Sequence, residues 1–396
     1  MNSLNQPEQI KFLIFDLDGV ITSEQKYWNT ARLTVWELIT HPDYLGLTSY
    51  FGQTLTQPDR VLAAGQQIID NAFIYELKRR AINSNWDLTY FVFCLHLAGI
   101  LQQVQQHAPE QWSQLQHQFE GASPQQWQKL GQSLLGLPLD CHTSEATMAV
   151  ACCPKDLGRS ETIAHFWQQT TALKGTAVTE YIYRFYQEHL GISLSQSHRG
   201  LWELCYQNFQ AWYEGKKGFT LPDDETVLDL GMIQATLQSL HTAQYTLAIA
   251  TGRPRNEVLE PLSALGLLSY FDPDRIITYD DVLAAENQLG SAQNPVKLGK
   301  PHPFVVLKAI HGHEDPQVLC SESFQQRDRT YAAYIGDAAS DIVAAKGAGC
   351  LSIGVLTGFT ASRAQGEQVQ LFKDLGCDCV IDSMVALPQV LGIDKP

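Results

Sequence analysis

The chain has 396 residues, 44% of them hydrophobic, and a formal net charge of −15. This length and apolar content suffice for a substantial core and about two domains. The acidic balance argues against nucleic acids and anionic membranes as partners, because both require basic surfaces. Nine cysteines without a C-x-x-C pair indicate reduced thiols, not a disulfide framework or a zinc knuckle.

The amino-terminal segment MNSLNQPEQI predicts a cytoplasmic protein. It lacks a basic stretch followed by an apolar one, and no apolar run in the sequence is expected to approach the length of a membrane span. We therefore expect a cytoplasmic location and no membrane partner.

The two ends of the chain alternate short apolar runs with helix-like segments. Such alternation is typical of an α/β fold, here a Rossmann-like doubly wound parallel sheet flanked by helices. The six predicted strands are KFLIF, YTLAIAT, RIITY, YAAYIG, CLSIGVL and CVIDS. Residues 1–23 and 222–396 are accordingly predicted to form one α/β core.

Residues 24–221 differ from both ends. All eight tryptophans lie between Trp28 and Trp212, strand signals are scarce, and segments such as YWNTARLTVWELI carry helix-like spacing of apolar residues. This pattern predicts an all-helical domain inserted after the first strand. Its glutamine-heavy section, residues 101–132, keeps Leu and Trp at intervals that suit solvated amphipathic helices.

Asp16 and Asp18 follow the first strand, in the stretch KFLIFDLDGV. Because strand side chains alternate, both carboxylates are expected on one side of the chain at the carboxyl end of the sheet, where open α/β sheets bind ligands. Two close carboxylates repel each other unless a cation neutralises them or one holds a proton. A turn with structural aspartates is the alternative.

Three later segments add polar groups near other predicted strands and helix starts. Thr251, in TGRPR, offers a hydroxyl and the N–H groups of a glycine turn, which suit phosphate oxygens, although an ordinary N-cap has the same pattern. Lys300, in LGKPHP, either has a direction fixed by the prolines or is a solvent-exposed lysine. Asp337 and Asp341, in GDAASD, share one helix face, where the helix dipole alone also favours acidic residues.

In this order the four segments closely resemble the four motifs of the haloacid dehalogenase (HAD) superfamily, most of whose members are Mg-dependent phosphatases. The resemblance covers the whole α/β half of the chain. It implies that residues 24–221 are a C1-type cap, much longer than the compact caps of the phosphoglycolate-phosphatase or phosphomutase type.

The resemblance also implies a role for each catalytic residue. Asp16 is the nucleophile that forms an aspartyl-phosphate, and Asp18 protonates the leaving oxygen and then acts as general base on water. Thr251 and Lys300 hold the phosphoryl oxygens. Asp18 argues against dehalogenation, because dehalogenases of this superfamily lack the second aspartate.

Mg²⁺ is the implied cofactor, because it prefers oxygen ligands and takes carboxylates together with substrate phosphate and water. The residues implied to bind or orient it are Asp16, Asp18 through its carbonyl oxygen, Asp337 and Asp341.

A small phosphorylated metabolite is the implied partner, whereas the sequence carries no signal for the oligomeric state. The residues implied to contact this substrate are Thr251, Gly252, Arg253 and Lys300. Gly252 and Arg253 depart from the family pattern, in which many members have asparagine or another small residue after the threonine. Arg253 either contacts substrate or sits at the helix start.

Two other functions stay open at this level. A phosphomutase would use the same aspartate and return the phosphoryl group to a sugar. A binding or assembly protein would use the large helical domain, with the aspartate site silent. Within the cap, Lys216 and Lys217 are either substrate contacts or a solvated connector, and residues 311–330 are expected to form a flexible surface loop.

Overall fold

The structure is a computed structural model of the whole chain. It describes all residues except 1–3, 5–6, 42, 47–61, 64, 67, 81, 83, 117–158, 195–198, 222–224, 292–293, 358–364 and 394–396. The chain divides into two compact units, Met1–Glu24 with Asp224–Pro396, and Gln25–Asp223. The sequence places the corresponding boundaries at residues 24 and 221.

Every named element described in the unit Gln25–Asp223 is a helix. The elements are α1 (Gln25–Thr40), α2 (Asn71–Arg79), α3 (Asn85–His107), α4 (Pro109–Leu115), α5 (Arg159–Gln169), α6 (Thr176–Phe185), a π-helical turn (Tyr186–Leu190) and α7 (Arg199–Tyr213). Helix α1 is buried all round from Tyr27 to Thr40 and packs against α3 and α7. The glutamine-heavy section is helical as far as Leu115, and its part from 117 to 132 lies outside the described residues.

Helix α3 corrects one expectation. Its segment Asn85–Gln106 is long and apolar enough to cross a membrane, whereas the sequence analysis expected no apolar run near that length. Within the unit, 83% of the most apolar window of this segment is buried. A core helix meets the same test of length and composition, so the segment is only weak support for a membrane span.

Arg32, on α1, is a buried cation that is held by neutral oxygens. Its guanidinium donates to Ile69 O at 2.8 Å, to Asn29 Oδ1 at 3.0 Å and to Asn71 Oδ1 at 2.6 Å. Burial lowers the pKa of Arg32 to about 10, and the charge of Asp70 opposes that shift. The side chain therefore stays charged at neutral pH and ties α1 to the start of α2.

Glu37 is the buried anion of the same helix. It accepts hydrogen bonds from Trp212 Nε1 at 2.8 Å and from Lys217 Nζ at 2.8 Å. Lys217 also donates to Asn208 Oδ1 at 2.8 Å, so this candidate substrate contact is bonded within its own unit. The side chain of Lys216, by contrast, is 70% exposed.

The other unit is built on a six-stranded parallel sheet with the strand order β3-β2-β1-β4-β5-β6. The strands are β1 (Phe12–Phe15), β2 (Thr246–Ala250), β3 (Ile276–Ile277), β4 (Arg329–Gly336), β5 (Cys350–Val355) and β6 (Cys379–Ile381). The strand order reverses beside β1, whose neighbours are β2 and β4, and this arrangement creates a topological switch point. The predicted α/β class is confirmed, and five predicted strand segments contain the observed strand, whereas β4 begins at Arg329, two residues before the predicted segment YAAYIG.

Side chains of the central strands alternate between two cores, as the two-residue period of a strand requires. Phe15 and Ile335 lie in one core, whereas Ile14, Ala250 and Tyr334 lie in the other. The helices of this unit are α8 (Leu230–Thr242), α9 (Asn256–Ala264), α10 (Tyr279–Leu289), α11 (Phe304–Ile310), α12 (Pro316–Leu319), α13 (Glu322–Gln325), α14 (Ala339–Gly347), α15 (Gln365–Asp374) and α16 (Leu387–Val390). Helices therefore cover both faces of the sheet.

Residues 311–330 do not form the expected flexible surface loop. They contain the short helices α12 and α13, followed by Arg329, which is 1% exposed. Its guanidinium donates to Phe324 O at 2.6 Å, Ala348 O at 2.9 Å and His311 Nε2 at 3.0 Å. These bonds join the segment to the end of α14, so the expectation of a loop is wrong here.

Candidate active site

The residues predicted from the four motifs lie at the carboxyl ends of three neighbouring strands and in one loop. Asp16 directly follows β1, Thr251 follows β2 and Asp337 follows β4. Lys300 lies in the loop that leads into α11. Parallel strands end at a common edge, and the switch point beside β1 lies at its centre, so these side chains occupy the usual ligand-binding edge of such a sheet.

Three carboxylates converge at this edge. Asp16, Asp337 and Asp341 each place one oxygen so that the three atoms lie within 4.8 Å of one another. All three side chains are buried, with at most 5% of each residue exposed. Converging carboxylate oxygens are the ligands that a hard divalent cation such as Mg²⁺ prefers.

Two glycines allow this close approach. Gly19 has a φ of +73°, and a Cβ there would lie 2.1 Å from Asp337 Oδ2. A Cβ at Gly336 would lie 2.3 Å from the Cβ of Asp341. Any side chain at either position would displace a carboxylate of the cluster, which explains the glycine within the first motif and the one before Asp337.

Lys300 is the cation of the cluster. Its Nζ lies 2.8 Å from Asp16 Oδ2, 2.8 Å from Asp341 Oδ1 and 3.2 Å from the hydroxyl of Tyr334. Burial lowers the pKa of Lys300, but the charges of Asp16 and Asp341 outweigh burial and raise it well above its usual value. Lys300 is therefore an ammonium ion, and it is not the solvent-exposed lysine of the alternative interpretation.

One ammonium does not fully compensate Asp16. Burial raises the pKa of the Asp16 carboxyl to about 7, Lys300 opposes that rise, and the charges of Asp341 and Asp18 add to it. Asp16 Oδ1 also accepts the N–H of Leu17 at 2.9 Å. The carboxylate that is predicted to be the nucleophile is thus buried among other negative charges.

Asp18 is paired with Arg253. Arg253 Nε donates to Asp18 Oδ1 at 2.8 Å, and Nη2 donates to the same oxygen. The guanidinium is itself held, because Nη2 also reaches Thr22 Oγ1 at 3.2 Å and Ser23 O at 3.3 Å. The side chain of Arg253 is 2% exposed and that of Asp18 is 17% exposed. Any contact of Arg253 with substrate stays a prediction.

Thr251 and Gly252 occupy the turn after β2. Thr251 is 1% exposed, its N–H donates to Ile277 O at 3.0 Å, and its hydroxyl oxygen accepts the N–H of Arg253 at 3.4 Å. Gly252 is exposed, and a Cβ added to it would meet nothing within 4 Å. The structure therefore places the predicted phosphate-binding turn next to the strand that carries Asp16.

Tyr334 is a residue of this site that the sequence analysis did not find. It lies on β4, is 1% exposed, and its hydroxyl donates to Ala250 O at 2.8 Å while it accepts from Lys300. The sequence contains a signal for Tyr334, because YAAYIGD places a hydroxyl three residues before Asp337 on a buried strand. To assign Tyr334 to the site, however, one must also know that β2 and Lys300 lie beside β4.

Thr357 and Gln368 hold the backbone of two motif segments. The hydroxyl of Thr357 donates to Gly19 O at 2.7 Å, and Gln368 Nε2 donates to Asp337 O at 3.0 Å. Both residues come from the carboxyl-terminal part of the unit, after β5 and on α15. No local pattern in the sequence marks either of them, because their role depends on tertiary contacts alone.

One family model and several curated proteins resemble this chain. A family model for haloacid dehalogenase-like hydrolases matches residues 160–355, a range that includes Thr251, Lys300, Asp337 and Asp341. Curated phosphoglycolate phosphatases of Vibrio parahaemolyticus and Vibrio vulnificus are 30% and 29% identical to the chain over 161 and 159 residues. These matches cover 41% and 40% of the chain, and 55% and 54% of the relatives. The chain therefore spans about half the length of the curated relatives that it matches.

A solved structure resembles the chain over nearly its whole length. An X-ray structure from the Northeast Structural Genomics Consortium is 26% identical, has a TM-score of 0.65, and covers 97% of this chain and 98% of its own. The likeness thus includes the helical residues as well as the α/β residues.

Proposed function

We propose that this chain, which belongs to the haloacid dehalogenase-like hydrolases, is a metal-dependent phosphatase that hydrolyses a small phosphomonoester through an aspartyl-phosphate on Asp16. The observation that carries the proposal is the cluster of Asp16, Asp337 and Asp341 around Lys300. Like charges that converge in a buried site oppose folding, so a cluster of this kind is typical of a site that binds a cation and an anionic ligand.

The net charge of the site favours the binding of a divalent cation. Before Asp18 takes up the proton that it later donates, all four carboxylates are ionised, and with the two cations the formal net charge is −2, from four negative and two positive charges. The groups are Asp16, Asp18, Asp337, Asp341, Lys300 and Arg253. A bound Mg²⁺ would neutralise this charge and would supply positive charge to the phosphoryl oxygens.

The residues that would hold the metal are Asp16, Asp337 and the carbonyl of Asp18. Asp341 has the orienting role that the family resemblance implies, and both of its oxygens are bonded within the protein. Asp341 Oδ1 accepts from Lys300 at 2.8 Å, and Oδ2 accepts the N–H of Ala338 at 3.0 Å.

The first chemical step transfers the phosphoryl group to Asp16. A carboxylate oxygen of Asp16 bonds to phosphorus, the bond from phosphorus to the leaving oxygen breaks, and Asp18 gives its proton to that oxygen. The positive charge of the Lys300 ammonium stabilises the phosphoryl oxygens during the transfer, and the hydroxyl of Thr251 holds them.

The second step releases inorganic phosphate. Asp18 accepts a proton from water, the water oxygen bonds to the same phosphorus, and the bond between phosphorus and Asp16 breaks. Asp18 is then protonated again, and Asp16 is again a carboxylate. Because Arg253 holds Asp18 Oδ1, we assign the proton transfers to Oδ2.

The substrate is a small phosphorylated metabolite in this proposal. The curated relatives are phosphoglycolate phosphatases, so phosphoglycolate is the first compound to test, followed by sugar phosphates, nucleotides and amino-alcohol phosphates. The cap residues that would select among these compounds lie outside the four motifs, so the motifs do not identify them.

The proposal is tested by phosphate release from this panel with and without Mg²⁺, for the wild type and for Asp16→Asn. We expect metal-dependent release by the wild type and none above background by the variant. Release that persists in Asp16→Asn, or no release from any compound of the panel, contradicts the proposal.

A further inference from the structure

We infer that Tyr334 is a positioning residue that fixes the ammonium of Lys300 over Asp16 and Asp341; this inference rests on the proposed function. Its hydroxyl lies within 3.3 Å of polar atoms from three of the motif segments: the end of β2, the loop of Lys300, and the helix that carries Asp341. The residue is outside all four motifs.

The direction of each hydrogen bond follows from the chemistry of the hydroxyl. A tyrosine hydroxyl has one proton, so it can donate either to Ala250 O at 2.8 Å or to Asp341 Oδ1 at 3.3 Å. The shorter distance assigns the proton to Ala250 O. The oxygen is then an acceptor for Lys300 Nζ at 3.2 Å.

The ammonium of Lys300 has three protons and three acceptors. Asp16 Oδ2 and Asp341 Oδ1 take two of them at 2.8 Å each, and Tyr334 takes the third. Two carboxylates alone would leave the third N–H of the ammonium without an acceptor among these groups. The hydroxyl of Tyr334 supplies that acceptor and links the ammonium to the backbone of β2.

Tyr334 acts on the reaction only through these bonds. Its ring is 1% exposed and packs in the core with Ile14 and Ala250. The hydroxyl donates to the carbonyl oxygen of Ala250, and Ala250 directly precedes the predicted phosphate-binding Thr251. Tyr334 therefore orients Lys300 and is not itself a catalytic residue.

The test is the binding of tungstate, a stable tetrahedral oxyanion, to the full chain in the presence of Mg²⁺, measured by calorimetry. Tyr334→Phe removes one oxygen from a core ring, so we expect the variant to fold with a melting temperature near that of the wild type. Tungstate binding should weaken about tenfold, because the ammonium is no longer fixed at the anion site, and the strength of a hydrogen bond to a charged group sets the scale of that loss. The matched control is Tyr331→Phe, which removes a hydroxyl from the other end of β4 and should leave binding unchanged.

A double-mutant cycle separates positioning from a general structural effect. Lys300→Met alone should weaken tungstate binding strongly, and adding Tyr334→Phe to it should change the affinity less than about twofold. An equal loss in both backgrounds would overturn the inference, because Tyr334 would then act independently of Lys300. A Tyr334→Phe variant that binds as tightly as the wild type would also overturn it.

Failure of this inference differs from failure of the proposed function. A wild type that binds tungstate and releases phosphate, with Tyr334→Phe unchanged, overturns the role of Tyr334 alone. A wild type that neither binds tungstate nor releases phosphate overturns the proposed function, and the role of Tyr334 with it.

Discussion

Both units of this molecule bury charged side chains, but they compensate them differently. In the helical unit, Glu37 is paired with Lys217 and with the indole of Trp212, and Arg32 is surrounded by neutral oxygens. In the α/β unit, by contrast, three carboxylates lie within 4.8 Å of one another. The ammonium of Lys300 is bonded to two of them.

Burial of charge alone therefore does not mark a functional site. A buried charge with its own partners ties helices together and contributes to one specific packing. Several like charges that converge on one point raise the free energy of the folded state, and a ligand of opposite charge relieves that cost. The two kinds of buried charge should therefore respond differently when a charge is removed.

The greatest loss of phosphate release is expected when the ammonium of Lys300 is removed. Lys300→Met should lower phosphate release by a factor of about 10² to 10³, because it removes a positive charge aimed at the phosphoryl oxygens. The measurement is the rate of phosphate release at saturating Mg²⁺. Lys308→Met, a change in the following helix α11, is the control and should retain the wild-type rate. Equal rates for the two variants would remove Lys300 from the mechanism.

A charge of the helical unit should instead affect stability. Glu37→Gln should lower the free energy of unfolding by about 2 kcal/mol, because Lys217 loses its buried ionic partner. Urea denaturation followed by circular dichroism measures this loss. Glu180→Gln on α6 changes an exposed glutamate and should alter stability by less than about 0.5 kcal/mol. If the two variants are equally stable, the pair of Glu37 and Lys217 does not stabilise this unit.

Removing a carboxylate from the cluster of Asp16, Asp337 and Asp341 should instead increase the free energy of unfolding. In the absence of metal at pH 8, Asp16→Asn should raise the free energy of unfolding by about 1–2 kcal/mol, because it removes a buried carboxylate next to other carboxylates. The same denaturation experiment measures this gain. A destabilised Asp16→Asn variant would mean that Lys300 already compensates the cluster.

The pH dependence of that gain follows from the pKa of Asp16, which is raised to about 7 in the folded protein. Between about pH 4 and pH 7 the folded state binds more protons at this residue than the unfolded state does, so wild-type stability falls as the pH rises. The advantage of Asp16→Asn should therefore grow through this range and level off above it. A constant difference between pH 4 and pH 8 would contradict the raised pKa.

The smallest expected effect concerns the backbone of Asp337. Gln368→Leu removes the donor to Asp337 O, so we expect the Mg²⁺ concentration for half-maximal activity to rise about threefold to tenfold. Titration of Mg²⁺ by calorimetry gives a second reading that is independent of turnover. Gln370→Leu, an exposed residue of the same helix, should leave both values unchanged. An unchanged Mg²⁺ requirement in Gln368→Leu would limit the role of this residue to packing.

The fold of the α/β unit could be predicted because its information is local. Leu13, Ile14 and Phe15 are all apolar and point alternately to the two faces of the sheet, so they define a strand that is buried on both faces. The motif residues follow directly where such strands end. The order of the motifs was also sufficient to bring Asp16, Lys300 and Asp337 to one edge of the sheet.

The rest depended on contacts between residues that are distant in sequence. The pairing of Asp18 with Arg253 joins residues that are 235 positions apart, and no local pattern indicates it. Arg329 was missed for a related reason, because an arginine in a polar stretch predicts a surface loop, whereas backbone carbonyls of its neighbours surround it here. Tyr334 and Gln368 likewise acquire their roles only when neighbouring elements are known.

The most direct test of the central claim is to trap the phosphoryl-enzyme. The wild type is mixed with a substrate and Mg²⁺, quenched in acid within milliseconds, digested, and mapped by mass spectrometry. We expect the mass of one phosphoryl group on the peptide of residues 12–22, fragmentation that assigns it to Asp16, and no such mass in Asp16→Asn. Phosphoryl transfer to another residue, or phosphate release without any phosphoryl-enzyme, would rule out an aspartyl-phosphate on Asp16.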